Sequence, residues 1–177
     1  TFSSFTWEHV AIVPPNHPLT RLAAPTLADL ARFPIITYNP EFSGRSQIDQ
    51  AFEHEGITPD IRLTGMDADV IKTYVRLGMG VGIIAQIAVT SDPCDTLVPL
   101  HGTNAFFQPS VTKVAIQRGT LMRNYAYRLI EMLAPHVDHA VLSGMAKRPS
   151  ADRPQVVLSY GERLDLQPEN ESQFAAL

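Results

Sequence analysis

The sequence predicts an α/β fold built on a mostly parallel sheet. Three observations predict it. Short apolar, β-branched runs alternate with helical patterns over the first 85 residues, the connections between them are short, and capping residues stand where helical patterns begin. The 177 residues, 45% hydrophobic and 18% charged, suit one ordinary domain or a small domain with an appendage.

"HVAIVP" at 9–14 reads as the first strand, halted by Pro14, Pro15 and the turn through Pro18. Thr26, with Asp29 three residues on, reads as the N-cap of a short helix through Ala31. "FPIITY" at 33–38 is β-branched enough for a buried strand. "GRSQIDQAFEHEG" then sets Ile48, Ala51 and Phe52 on one helical face and ends at Gly56. A third strand is expected at 60–65. Asp67 caps the next helix, in which Val70, Tyr74 and Leu77 form the apolar face and Lys72 and Arg76 an exposed i,i+4 pair. "VGIIA" at 81–85 is a further buried strand.

Beyond residue 86 the pattern loosens. One short strand is expected at 97–100, and 111–118 alternates as a strand. Thr120 is expected to cap a helix with Leu121, Tyr125, Leu129 and Met132 or Leu133 inward, stopped by Pro135. The proline-punctuated end, 144–177, reads as a poorly ordered tail with one short strand at 155–159.

Several classes are disfavoured by composition. Net charge is −4, from 14 Lys+Arg against 18 Asp+Glu, so no basic surface for nucleic acid is expected in this chain. The lone Cys94 excludes an intrachain disulfide, and its acidic neighbours Asp92 and Asp95 argue against a nucleophile. No apolar run is long enough to span a membrane, and "TFSSFTWEHV" does not read as a signal peptide, so the expected setting is cytoplasmic. His136 and His139 share a helix end without a ligand set around them; no metal, no cofactor and no catalytic constellation are expected, hence no enzyme.

The glycines Gly78, Gly80 and Gly82 invite a nucleotide loop, but the order is wrong. A dinucleotide loop runs strand, G-x-G-x-x-G, helix, so that the pyrophosphate meets a helix N-terminus. Here a helix precedes the glycines and a strand follows, which fits a helix stop and close backbone packing. The more informative loop is "TYNPEFSGRSQID", 37–49, which leaves a buried strand and opens a helix. Free amides around Gly44 to Ser46 would attract a small anion, with Arg45 adding a cation and Ser43 a hydroxyl. The plainer alternative is that Ser43 is only the helix cap and Arg45 a solvated surface residue.

"SGRSQID" and "DADVIKTYVRLGMGVGIIA", with "VPPNHPL" ahead and "TKVAIQRGTLMRNYAYRLIEMLAPH" behind, resemble the effector-binding portion of LysR-type transcriptional regulators, in their CysB/Cbl-like branch that controls sulfur assimilation. The resemblance covers about 7–137. It implies a periplasmic-binding-protein-like (type II) effector domain: mainly the second lobe at 7–110, then the returning strand and helix of the first lobe at 111–143. It implies a small anionic metabolite (sulfate, thiosulfate or an acetylserine) held between lobes. It further implies a homo-oligomer, a tetramer at full length, that meets DNA only through an N-terminal domain expected to be absent from this chain.

Carried over residue by residue, Ser43, Gly44, Arg45 and Ser46 stand where the family's loop reads Thr-Gly-Arg-Ser, so a hydroxyl at position 43 is kept in kind. Thr37 is the further candidate for lining the cleft. Asn39, Pro40 and Glu41 depart from the family's Thr-Phe-Gly, and Glu41 adds negative charge near the anion. The rival class is a transporter's solute-binding protein, which shares the two-lobed fold.

Overall fold

Backbone pairing sorts the strands into two sheets. The computed structural model describes residues 1–89, 96–116, 122–135, 137 and 158–159. The chain divides into two compact units, Trp7–Ser110 and Thr1–Thr6 with Val111–Leu177.

The first unit is a five-stranded sheet of β2 (His9–Val13), β3 (Ile35–Tyr38), β4 (Ile61–Gly65), β5 (Val81–Ala85) and β6 (Val98–Pro99), in the order β4-β3-β5-β2-β6. β3 runs parallel to β4 and β5, but β2 pairs antiparallel with both β5 and β6. The sheet is therefore mixed rather than mostly parallel. Between β2 and β3 the chain offers only a 3-10 turn, Pro18–Arg21, and the four-residue α1 (Leu27–Leu30), not a full crossover helix that would lay β3 parallel beside β2.

Alternation along β2 splits the core in two. Ala11 and Val13 face Ile48 and Phe52 of α2 (Ser43–His54) together with Leu27 and Leu30 of α1. Val10 and Ile12 face Ile71 and Val75 of α3 (Ala68–Arg76) on the opposite side. α2 thus packs as its sequence spacing predicts, with Ala51 partly buried against the same cluster. Its stop is Gly56, at φ 67°.

Caps fall where expected. The Thr26 hydroxyl accepts from the Asp29 amide at 3.2 Å, while the Asp29 carboxylate accepts from the Thr26 amide at 3.0 Å. Replacing Thr26 by Ala should therefore lower stability by about 1 kcal/mol in a urea titration, and no shift in midpoint would show α1 to be held by packing alone. Asp67 caps α3, accepting from the Val70 amide at 2.8 Å.

The face of α3 differs from the expected one. Ile71, Lys72 and Val75 are buried; of the expected face Tyr74 is half-buried against the same cluster, whereas Val70 and Leu77 are exposed, Leu77 by 70%. A helix of alternating apolar residues carries two competing stripes, and the sheet selects the one that fills the gap beside Gly82. Lys72, expected outside, lays its stem in this layer and ends 3.7 Å from the Asp69 carboxylate.

Gly78 ends α3 at φ 75°, a conformation that side chains with a Cβ resist. Gly80 passes so close to Pro34 that an added Cβ would lie 2.3 Å from its carbonyl oxygen. Gly82 lies between Ile12 and Val75, each 2.7 Å from where a Cβ would stand. These glycines serve packing, as their order along the chain predicts.

In the other unit, β1 (Phe2–Trp7) lies between β7 (Ser110–Val114) and β8 (Leu158–Ser159), parallel to the latter. β1 has no counterpart among the expected strands, because Phe2 falls out of step with Phe5 and Trp7 and Ser4 is a buried polar position. α4 (Asn124–Leu133) stops two residues before Pro135 and buries Ile130, with Ala134 and Val137, against Phe2, Val114 and Met122. Of the stripe expected inward, Tyr125, Leu129 and Met132 are exposed, while Leu133, the alternative to Met132, is half-buried. The Thr120 cap, Leu121 and most of the proposed tail lie outside the described residues.

Candidate functional site

After β3 the chain turns through 39–42 and starts α2. Two backbone bonds shape the turn: the Asn39 amide donates to the Gly65 carbonyl at 3.1 Å, and the Phe42 amide to the Asn39 carbonyl at 3.1 Å. Phe42, in extended conformation, is the residue that precedes the helix, and no side chain caps it. Ser43 is the first helical residue, exposed, and not the cap. The amide of Arg45 donates to the Phe42 carbonyl at 2.9 Å, so the uncapped donors of the first turn are those of Ser43 and Gly44, one step earlier than the sequence suggests. They sit at the positive end of a 12-residue helix.

The other candidates are engaged within the chain. Arg45 is buried; its Nε donates to the Asp49 carboxylate at 2.7 Å and its Nη1 to the Tyr38 carbonyl at 2.8 Å. The guanidinium thus clamps the first turn of α2 to the end of β3, and its charge is shared with Asp49. Arg45 is not the solvated surface residue of the plainer alternative, and those two bonds engage it with its own chain. Ser46 donates its hydroxyl to the Ser43 carbonyl at 2.8 Å. Thr37 is fully buried and donates to the Ile83 carbonyl at 3.0 Å, which ties β3 to β5. What remains at the helix start is the exposed Ser43, with its hydroxyl and amide, and the amide of the buried Gly44 behind it.

Beneath that turn lies His9, the first residue of β2. Its ring is fully buried, and neither Nδ1 nor Nε2 has a hydrogen-bond partner among the described residues. It is walled by Trp7, Tyr38 and Phe107, with ring centroids 5.0, 6.4 and 5.9 Å away. A Cβ on Gly44 would stand 2.8 Å from His9 Nε2 and 3.2 Å from the Trp7 ring, so only glycine fits here. Burial among these rings pulls the His9 pKa down to about 4 and keeps the imidazole neutral at pH 7. Burial likewise raises the Tyr38 hydroxyl, which accepts a bond from the Ala85 amide at 3.0 Å.

Sequence reasoning passed over His9 and Trp7. The available signal was one polar residue inside an otherwise apolar strand. An open depression of roughly 560 Å³ lies elsewhere on the unit, lined in part by Gln50, His54 and Phe106, and includes neither Ser43 nor His9. Among the described residues no cluster of His, Cys, Asp and Glu could hold a metal, and no helix is long and apolar enough to cross a membrane. Cys94, His136 and His139 lie outside the described residues.

A mixed α/β core with an open helix start beside a strand end is the arrangement of a periplasmic-binding-protein-like effector domain, and the chain belongs to the LysR substrate binding domain family, which it matches over residues 3–138. Among its relatives is the HTH-type transcriptional regulator SsuR of Burkholderia cenocepacia, 48% identical over 147 residues that cover 83% of this chain and 47% of the regulator. The HTH-type transcriptional regulator CysB of Haemophilus influenzae is 43% identical over 136 residues, 77% of this chain and 42% of that protein. The crystal structure of the cofactor-binding domain of the Cbl transcriptional regulator superposes with a TM-score of 0.76 at 36% identity, over 84% of this chain and 64% of that one. The chain spans about half the length of the curated relatives it matches.

Proposed function

We propose that this chain is the effector-sensing part of a LysR-type transcriptional regulator of sulfur metabolism, and that a small anionic metabolite settles at the start of α2. Sulfate, thiosulfate and acetylserines are the candidate effectors. The observation that carries the site is the first turn of α2, which no side chain caps and which opens on the exposed Ser43. Kinship with SsuR, CysB and Cbl regulators carries the class and disfavours a transporter's solute-binding protein. No catalytic step is assigned to the chain.

In this reading the amides and Ser43 contact the anion, while Arg45 is a positioning residue that holds the turn against β3 through Asp49 and Tyr38. Thr37 and Ser46 support the same turn from within the sheet and the helix. The effector would act by population shift: it binds one arrangement of the regulator better, and so changes how subunits of an oligomer, a tetramer at full length, present their DNA-binding domains. Calorimetric titration of the chain, alone and within the full-length regulator, tests the site. Ser43→Ala should weaken the bound anion about tenfold through loss of one charge-assisted hydrogen bond. Equal affinity in wild type and Ser43→Ala would remove the assignment.

A further inference from the structure

We propose that His9 is a ligand-contacting residue of the α2 site, donating through Nε2 to an oxygen of the bound anion. The inference rests on the site proposed above and adds a donor that neither the sequence motif nor the family match supplies.

Three observations carry it. First, His9 is 0% exposed, yet neither ring nitrogen has a partner among the described residues. Buried side-chain polar atoms are hydrogen-bonded in the large majority of cases, and those left over call for a stated reason. Second, Nε2 lies against the first turn of α2: the point a Gly44 Cβ would occupy is 2.8 Å from it. Third, the ring is fixed rather than adaptable, held between Trp7, Tyr38 and Phe107. A neutral imidazole in this cage offers a directed N–H and no net charge.

The donor set decides the chemistry. With Nε2 protonated, the site presents the Ser43 amide, the Gly44 amide, the Ser43 hydroxyl and the His9 N–H. An ionised oxyanion such as sulfate or thiosulfate offers each of them an acceptor, so binding leaves no Nε2 proton unpaired.

The test pairs affinity with a spectroscopic readout. Wild-type protein, His9→Gln and His9→Leu are titrated with sulfate, thiosulfate and inorganic phosphate at pH 7.5, and the His9 ring nitrogens are followed by ¹⁵N NMR in the wild type. The expected result is a shifted Nε2 resonance on saturation with sulfate or thiosulfate, about tenfold weaker binding in His9→Leu, and partial retention in His9→Gln, whose amide still donates. The ligand-free melting temperature of His9→Leu should be unchanged or higher, because an unsatisfied polar group has been removed; a packing residue would show the reverse. Wild-type binding with an unmoved Nε2 resonance and unaffected variants would overturn the role of His9 while leaving the α2 site standing. Failure of the wild type to bind any of the three oxyanions would overturn the α2 site itself and this inference with it. Should His9→Leu not fold, the wild-type resonance alone decides.

Discussion

Gly80→Ala should lower the unfolding free energy by about 3 kcal/mol, the upper range for forcing a methyl group into a packed interior. The added Cβ would lie 2.3 Å from the Pro34 carbonyl oxygen and 3.0 Å from its carbonyl carbon. Both obstacles are backbone, so no rotamer change relieves the clash. That carbonyl also accepts from the Val81 amide at 2.8 Å, and the bond sets the register in which Ile35 pairs with Val81. The β3 and β5 backbones must therefore separate, and the Thr37 bond to Ile83 lies two residues further along the same seam. Gly82→Ala meets γ carbons of the buried Ile12 and Val75 at 2.7 Å, side chains rather than backbone, so its effect should be smaller than that of Gly80→Ala. Gly78→Ala meets nothing within 4 Å and suffers only its φ of 75°, a strain of about 1 kcal/mol. Urea titrations should rank the three in that order. A Gly80→Ala protein within 0.5 kcal/mol of wild type, a margin typical of surface changes, would mean that the two strands slide freely here. The same variant should bind its anion poorly, because the loop that opens α2 hangs from the end of β3.

Much of the fold was legible because local chemistry decides it. Thr26 with Asp29, Asp67 and Gly56 carry their roles within a few residues, and the spacing of Ile48, Ala51 and Phe52 matches one helical face with no rival. Strand direction is different. "HVAIVP" reads identically whether β2 runs with or against β5, since apolar content marks burial and not polarity. Helix faces failed in α3 and α4 for a related reason. Each carries two apolar stripes, and only the surface it meets selects between Val70 with Leu77 and Ile71 with Val75, or between Leu129 with Met132 and Ile130.

The candidate site was half legible. The Ser-Gly-Arg-Ser turn stands at a helix start, as the sequence suggests, and no side chain caps it. The sequence cannot say that Arg45 would fold back on Asp49, because i,i+4 geometry permits that pair without requiring it. Nor can it place His9, 35 positions upstream, beneath Gly44; that proximity belongs to the sheet alone.

His9 also makes the protein acid-sensitive, and the sign follows from burial. Its pKa is lowered from 6.5 to about 4 in the folded chain. Above pH 6.5 the ring is neutral in folded and unfolded states alike, and it contributes no pH dependence. Between pH 6.5 and 4 the unfolded state takes up a proton that the folded state refuses, so stability falls as pH falls. The slope is about 1.4 kcal/mol per pH unit, and the total approaches about 3 kcal/mol before it levels off below the folded value. His17, lowered by burial as well, acts with the same sign. Asp29, held down by its bonds to Thr26, loses its contribution only at lower pH, in the carboxylate range. Urea midpoints measured at pH 7.5 and 4.5 separate these effects. Wild type should lose about 2–3 kcal/mol over that interval, and His9→Gln, which has no titrating ring, should lose much less. Parallel losses in both proteins would place the acid sensitivity elsewhere and show that the His9 ring opens to water before it is protonated. The large difference, if found, ties the neutral imidazole to the folded state, which is the protonation state that the proposed Nε2–H donor requires.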